Sequence, residues 1–282
     1  MKVAVAQISA IPGKIDENVA KLARYAKEAA SNSADMLITP ELFLTGYDVE
    51  PLSVIASLAQ PLVNDTNETI DKVKKIAKEN GIAIVTGLPI GEKGQTKAYN
   101  SIIWIDKTGK LADVYHKTHL WGESEKSVFI SSSNAYHITP FNVLNEIKIG
   151  LLVCFDVEFP EPSRILAVQG AQMIISIAAC VSMKHMWSLL QTRALENHCH
   201  VIYCNFPNNN VVQKQFGGES IVIAPDGSIL NHCDAKLDGL IYADIDPSKD
   251  SYRSSIQRND YLVNRKPHLY SEILDTYTRS KL

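Results

Sequence analysis

Short apolar segments rich in Val and Ile recur along the chain, with longer amphipathic segments between some of them. Runs of about four to eight such residues bounded by turn residues are typical of strands. Strands are therefore predicted at 2–8, 83–90, 101–105, 146–153, 173–178, 200–204, 219–224 and 238–245. Helical periodicity predicts helices at 16–31, 64–79, 160–169 and 184–199, the second with Asn64, Asp65 and Thr66 available as N-cap residues.

Alternating helices and strands indicate an α/β layered fold. Two turn sequences, at 107–110 and 225–227, join neighbouring apolar segments and predict hairpins, so some strands are antiparallel. A mixed sheet or a pair of stacked sheets flanked by helices therefore fits better than a purely parallel doubly wound sheet. No linker, repeat or low-complexity run interrupts the pattern, which predicts one domain over residues 1–282.

Composition excludes several classes of function. A formal charge of −3 provides no basic excess, so nucleic acid is not an expected partner. The apolar runs are too short to span a membrane, and the first ten residues lack the pattern of a signal peptide. The cysteines are odd in number and show no framework spacing, which predicts a reducing, cytoplasmic location; they are Cys154, Cys180, Cys199, Cys204 and Cys233.

One cysteine stands at a position suited to chemistry. The predicted strand 146–153 runs directly into Cys154, and Pro160 and Glu161 then open a helix. A residue at such a strand-to-helix elbow projects from the sheet, and the backbone N–H groups that follow can stabilise an oxyanion. A buried core cysteine is the commoner explanation for Cys154 taken alone, so a nucleophile needs partners that activate its thiol.

Two further segments supply candidate partners. Glu41 follows the short apolar segment 36–38, and Lys117 comes directly after the segment 111–116. Each side chain by itself is more often a solvated surface charge. A carboxylate and an ammonium at strand ends, together with a thiol at another strand end, nevertheless form a combination that can activate a nucleophile.

The chain resembles the nitrilase superfamily of carbon–nitrogen hydrolases. The resemblance is carried by PELFLTGY at 40–47, YHKTHLWG at 115–122 and CFDVEFPE at 154–161, and it extends from VAVAQ at 3–7 to YLVNRKPHLY at 261–270. It implies an αββα sandwich, no cofactor or metal, and assembly as a homodimer or higher homo-oligomer. The segment 246–282 is accordingly expected at a subunit interface.

The resemblance also implies roles for individual residues. Cys154 corresponds to the nucleophile that forms a thioester, Glu41 to the general base and Lys117 to the cation that stabilises the oxyanion, with the Phe155 N–H assisting. A second glutamate follows the lysine in many members. Glu125 matches its spacing best, and Glu123 is the weaker candidate.

Other residues near these motifs have less specific signals. Tyr47 and Trp121 are expected at the mouth of the pocket, with ordinary core packing as the alternative. His116 and His119 have no cysteine or carboxylate at a spacing that would complete a metal site. Glu158 and Lys184 are candidates for contact with a charged substrate, although single charged loop residues are usually solvated.

The substrate is expected to be a small linear amide. Nitrilases of the resembled superfamily carry Trp-Glu after the cysteine, whereas this chain has Phe155-Asp156, which is closer to the Tyr-Asp of linear-amide hydrolases. After linear amides, nitriles rank second among the expected substrates and N-carbamoyl compounds rank third. A non-catalytic binding or scaffold protein of the same fold is the alternative from a different class. Substrate choice is expected to depend on loops 121–134, 179–186 and 207–216.

Overall fold

Two mixed β-sheets pack against each other in the computed structural model, which describes residues 1–49, 51–92, 94–142, 146–208, 215–246 and 261–274. The first sheet has the strand order β13-β1-β2-β4-β5-β6, with β3 paired to β4. The second has the order β12-β11-β10-β9-β8-β7. Each sheet combines parallel pairs in its centre with antiparallel pairs at its edges. This arrangement confirms the expectation of two stacked mixed sheets flanked by helices.

Each strand and helix predicted from the apolar pattern is present with slightly different ends, and the described residues contain further elements that were not predicted, including the helices Ser53–Leu58 and Gly122–Val128. The strands are β1 Lys2–Gln7, β2 Met36–Ile38, β3 Gln60–Pro61, β4 Ala83–Gly91, β5 Ala98–Ile105, β6 Leu111–His116, β7 Ile138–Asn142, β8 Glu146–Val153, β9 Met173–Ile177, β10 His200–Cys204, β11 Ile221–Ile223, β12 Ile229–His232 and β13 Gly239–Asp244. The helices are α1 Ile15–Ser31, α2 Ser53–Leu58, α3 Glu68–Asn80, α4 Gly122–Val128, α5 Pro160–Val168 and α6 Met186–Asn197. Both predicted hairpins form, as β5–β6 and β11–β12.

The side chains of the central strands alternate between two apolar layers. In β1, Val3 and Val5 belong to the core shared with the second sheet, while Ala4 and Ala6 belong to the core formed with α1 and α3. Successive strand residues point to opposite faces, so a strand that is apolar on both faces is covered on both. Helices α5 and α6 contribute to the core around the second sheet. The order of layers is therefore helix, sheet, sheet, helix.

The start of α3 differs from the prediction. The helix begins at Glu68, and the side chain of Asn67 accepts a hydrogen bond from the N–H of Ile70 at 2.9 Å. Asn64 and Asp65 instead adopt positive φ angles of 50° and 60° in a turn that precedes the helix. Asn and Asp tolerate this left-handed conformation, which a helix cannot continue, so the capping residue lies farther along the chain than predicted.

A buried carboxylate joins the ends of the two sheets. Asp156 accepts hydrogen bonds from the Tyr115 hydroxyl at 2.8 Å and from the backbone N–H of Val153 at 3.1 Å. It also accepts one from the backbone N–H of His119 at 2.8 Å. Tyr115 belongs to β6 of the first sheet, whereas Val153 ends β8 of the second. Asp156 therefore fixes the relative position of two strand ends that belong to different sheets.

None of the helices in the described ranges is both long enough and apolar enough to cross a membrane. The described part of the predicted interface segment 246–282 comprises Asp246 and residues 261–274. Short 3₁₀ turns at Pro267–Leu269 and Ser271–Leu274 are the regular structure in this stretch.

We predict that Asp156→Ala lowers the free energy of unfolding by about 2–4 kcal/mol, because buried donors on both sheets lose their acceptor. Urea denaturation followed by circular dichroism measures this change. Glu123→Ala is the matched control, since Glu123 is exposed and pairs only with the exposed Lys126 among the described residues. Its expected effect is within about 0.5 kcal/mol. Equal stability of the two variants would contradict the role assigned to Asp156.

Candidate active site

Three strand ends bring the predicted catalytic residues together. Glu41 lies just beyond β2 and Lys117 directly follows β6, both in the first sheet, while Cys154 directly follows β8 in the second. The backbone N–H of Glu41 donates to the carbonyl of Ala178, which lies just after β9 of the second sheet, at 3.3 Å. The site is therefore built across the two sheets.

The backbone around Glu41 passes unusually close to β4. A Cβ atom added to Gly87 would meet the backbone nitrogen of Leu42 at 2.3 Å and the carbonyl carbon of Glu41 at 3.0 Å. Real Cβ atoms are not found at such distances, so any larger residue at position 87 would displace the segment that carries Glu41. Glycine is required here by close approach of the two chain segments.

Lys117 is buried between two carboxylates. Its Nζ donates to Glu41 Oε1 at 2.8 Å and to Glu125 Oε1 at 2.9 Å, and all three side chains are almost completely inaccessible to solvent. Burial alone would lower the pKa of Lys117, but its interactions with Glu41, with the Cys154 sulfur and with Glu125 outweigh burial and raise that pKa above its ordinary value. Lys117 is therefore held as an ammonium.

Of the two candidate second glutamates, Glu125 is the one that contacts Lys117. Its Oε1 also accepts a hydrogen bond from the Tyr47 hydroxyl at 2.8 Å, and its Oε2 accepts one from the backbone N–H of Trp121 at 2.7 Å. Glu123 lies on the solvent side of α4 and pairs with Lys126. Because α4 starts at Gly122, positions 123 and 125 face different directions, which loop spacing alone did not reveal.

Glu41 retains an unused acceptor. Its Oε1 accepts from Lys117 and from the side-chain amide of Asn100, the latter at 2.6 Å. Its Oε2 is buried and has no hydrogen-bond partner among the described residues. Burial raises the pKa of Glu41, Lys117 opposes this effect, and Glu125 adds to it. The site thus contains a carboxylate with raised proton affinity and one free oxygen.

Cys154 has the backbone geometry of a sharp elbow. Its φ angle is +46°, and it begins the 3₁₀ turn Cys154–Glu158, which leads into α5. Burial raises the pKa of its thiol well above the ordinary value, Glu41 raises it further, and Lys117 opposes both. The thiol therefore carries its proton until a base removes it. The charges of Glu41 and Lys117 both act on this sulfur, so the three predicted residues form one electrostatic unit.

A cavity of about 460 Å³ opens beside Cys154. The predicted pocket residues Tyr47 and Trp121 both line it, and so does Glu158. Much of the remaining wall is apolar and includes Ala179, Val181, Met186, Leu189 and Phe216. A cavity of this size with a few convergent polar groups suits a small organic ligand. Lys184 is exposed and is not part of this wall.

The histidines near the motifs have local partners. His116 Nδ1 lies 2.7 Å from the Ser101 hydroxyl, and burial lowers the His116 pKa to about 4. His119 Nδ1 lies 2.9 Å from Asp156 Oδ1. Among the described residues, no group of three or more metal-ligating side chains is present. Phe155 packs its ring edge-on against Phe159, with centroids 5.0 Å apart, and the function of its N–H stays a prediction.

Three contributors were missed by sequence reasoning. Asn100 orients Glu41, Asp156 joins the sheets, and Cys180 lines the cavity beside Cys154. Asn100 carried a detectable signal, because an amide in the apolar strand β5 needs a buried partner. Asp156 and Cys180 lie in segments whose contacts depend on the second sheet, which the local pattern does not encode. Of the predicted loop 207–216, residues 209–214 lie outside the described residues.

Comparison with known proteins is consistent with this geometry. The family model "Carbon-nitrogen hydrolase" matches residues 2–253, a range that contains Glu41, Lys117 and Cys154. A protein named hydrolase in pqqF 5′ region from Pseudomonas protegens is 33% identical over 97% of this chain and 92% of its own length. The 2-oxoglutaramate amidase of Bacillus subtilis is 32% identical over 83% of this chain and 86% of its own length.

Solved structures of an amidase from Nesterenkonia sp. AN1 share the fold. One of them superposes with a TM-score of 0.82 and 28% identity, covering 97% of this chain and 99% of the amidase, and contains the product of Michael addition of acrylamide to the active-site cysteine of that protein. The family match spans more than half of this chain, and the relative from Pseudomonas protegens exceeds 30% identity over nearly all of it. The chain therefore belongs to the carbon–nitrogen hydrolase family.

Proposed function

We propose that this protein hydrolyses the carbon–nitrogen bond of a small linear amide, releasing ammonia and a carboxylate through a thioester on Cys154. The observation that carries the proposal is the Oε2 atom of buried Glu41, which has no hydrogen-bond partner among the described residues. Glu41 interacts electrostatically with the Cys154 thiol, as does the Lys117 ammonium. A free acceptor with a raised pKa is what removal of a thiol proton requires. The Phe155-Asp156 sequence after the nucleophile favours amides over nitriles as substrates.

Acylation begins when Glu41 takes the thiol proton and the sulfur attacks the amide carbon. The negative charge that develops on the carbonyl oxygen is stabilised by the Lys117 ammonium and the Phe155 N–H. Lys117 is already bound by two carboxylates, so it needs no reorganisation as this charge appears. Glu41 then gives the proton to the departing nitrogen, the C–N bond breaks, and ammonia leaves a thioester behind.

Deacylation uses the same groups, with water as the nucleophile and the Cys154 sulfur as the leaving group. Glu41 takes a proton from water, the resulting hydroxide attacks the thioester carbon, and Lys117 again stabilises the oxyanion. The C–S bond breaks, the carboxylic acid departs, and Glu41 returns the proton to the sulfur. Glu125 holds the Lys117 ammonium throughout, and Tyr47 holds Glu125.

The proposal is tested by incubating the protein with short amides, ω-amides, nitriles and N-carbamoyl compounds and measuring ammonia release. Mass spectrometry of the quenched protein detects an acyl adduct on Cys154. Amides are expected to be turned over fastest. Faster turnover of nitriles or N-carbamoyl compounds would reassign the bond, and neither ammonia nor adduct from any compound would favour a non-catalytic scaffold.

The same assay separates the roles of the residues. We expect Cys154→Ala to abolish turnover, and Glu41→Gln and Lys117→Ala each to lower kcat by about a hundredfold or more. Cys199→Ala is the matched control, because Cys199 is a buried thiol outside the cavity and should affect stability rather than kcat. Thermal melts show whether Lys117→Ala remains folded, and normal activity in a folded Lys117→Ala protein would refute the triad.

The acid limb of the pH profile is expected above the ordinary glutamate pKa of 4.5. Because the pKa of Glu41 is raised, its carboxylate gains a proton at higher pH than usual, and kcat/KM falls as the pH drops through that raised value. Measurement with an uncharged amide avoids titration of the substrate. A profile that stays flat down to pH 4.5, with circular dichroism unchanged, would argue against Glu41 as the base.

We also propose that the chain forms a homodimer or a higher homo-oligomer. Large apolar side chains are exposed in the described part of the C-terminal segment, including Val263 at 80%, Leu269 at 69% and Leu274 at 87%. Several large exposed apolar side chains in one short segment support an interaction surface there. Sedimentation equilibrium at micromolar concentration is expected to give at least twice the mass of the chain. Leu269→Glu should shift that equilibrium towards the monomer, and a wild-type protein that sediments only as a monomer would disprove the proposal.

A further inference from the structure

The carboxylate of Glu158 has no partner in the described structure, although its backbone is firmly held. Buried Arg193 donates from Nη2 to the carbonyl of Glu158 at 2.8 Å and from Nε to the carbonyl of Val157 at 3.0 Å. Its Nη1 pairs with Glu196 at 3.0 Å. Arg193 thus fixes the end of the 3₁₀ turn without pairing with the Glu158 side chain. That carboxylate lines the same cavity as the Cys154 thiol.

The charges around the cavity are predominantly negative. Glu125 and Glu158 both line it, and neither lysine nor arginine is found among the described residues of its wall. The buried ammonium of Lys117 is already shared by Glu41 and Glu125. His185 is the basic side chain on the described wall. A concave site with excess carboxylate attracts cations and repels anions.

The position of Glu158 sets the size of a ligand that spans the site. Cys154 and Glu158 stand at the two ends of one 3₁₀ turn. At a rise of about 2 Å per residue, four residues separate them by about 8 Å along the turn axis. An acyl chain of a few carbons covers this separation when its carbonyl carbon lies at the sulfur. Val181, Leu189 and Phe216 supply apolar wall against which methylene groups can pack.

We propose that Glu158 selects substrates with a positively charged acyl group, so that the preferred compounds are short ω-amino amides whose ammonium pairs with the Glu158 carboxylate. This inference rests on the proposed amide hydrolysis for its reaction, but the cation subsite itself is a separate claim. Glu158 is exposed to solvent on the cavity wall, partial burial raises its pKa and the charge of Lys117 opposes this effect, so a bound ammonium would compensate the partial desolvation of the carboxylate. An amide with a terminal carboxylate would face repulsion instead.

The test compares three amides of nearly equal size that differ in terminal charge. They are 4-aminobutanamide, which is cationic, pentanamide, which is neutral, and succinamate, which is anionic. Ammonia release gives kcat and KM for each with the wild-type protein, Glu158→Gln and His185→Gln. Glu158→Gln keeps the shape of the side chain and removes its charge.

We expect the wild-type protein to favour the cationic amide over the neutral one by roughly tenfold in kcat/KM, the strength of a partly exposed charge-assisted contact. Glu158→Gln should remove this preference chiefly through KM and leave pentanamide within about threefold of wild type. His185→Gln should leave the ratio unchanged. Preference for succinamate, loss of that preference in His185→Gln, or an unchanged cation-to-neutral ratio in Glu158→Gln would each overturn the proposal.

Binding without turnover separates this claim from the proposed reaction. In Cys154→Ala, calorimetry should show tighter binding of 4-aminobutanamide than of pentanamide, and the double variant with Glu158→Gln should lose the difference. If no amide is hydrolysed but this difference is found, the cation subsite stands and amide hydrolysis is refuted. If pentanamide is hydrolysed but no difference is found in binding or kinetics, amide hydrolysis stands and the role of Glu158 is refuted.

Discussion

The buried ammonium of Lys117 is the constraint on which the site depends. A charge without solvent contact is tolerable when opposite charges and hydrogen bonds surround it, and Glu41 and Glu125 provide both at 2.8 and 2.9 Å. Removing one member of such a group typically costs about 3–5 kcal/mol, because the others are left buried and unpaired. The same three charges that stabilise the interior also set the proton affinities of Glu41 and Cys154. Stability and the proposed chemistry therefore depend on one cluster.

The two sheets hold this cluster in place by a small number of polar contacts. Asp156 joins the end of β6 to the end of β8, and the backbone of Glu41 reaches the carbonyl of Ala178 in the second sheet. Asn100 orients the carboxylate of Glu41 through a hydrogen bond, and Tyr47 orients that of Glu125 in the same way. The proposed nucleophile lies at the end of a strand of one sheet and its proposed base at the end of a strand of the other, and they need such contacts, since a misplacement of about 1 Å is costly in catalysis.

The cavity is the proposed source of substrate specificity. In the proposed reaction the cluster acts on the scissile bond of any substrate, whereas Glu158 lines the cavity outside the cluster, together with an apolar wall. Glu158 is also tied to the nucleophile, because both belong to one short turn whose end is held by Arg193. The backbone positions of Cys154 and Glu158 are therefore fixed together.

Most secondary-structure elements and the candidate catalytic residues could be predicted from the sequence. Apolar runs marked most strands, turn residues marked both hairpins, and strand-end positions marked Glu41, Lys117 and Cys154, because these signals lie within a few neighbouring residues. Spacing favoured Glu125 over Glu123, whereas the contact of Glu125 with Lys117, the start of α3 and the contribution of Asn100 depend on tertiary structure. Lys117 and Glu41 are separated by 76 residues, and Asn100 and Glu41 by 59, so their contact depends on strand register and sheet packing. Local patterns indicate which residues lie at strand ends, and long-range packing decides which of them form hydrogen bonds or ion pairs with one another.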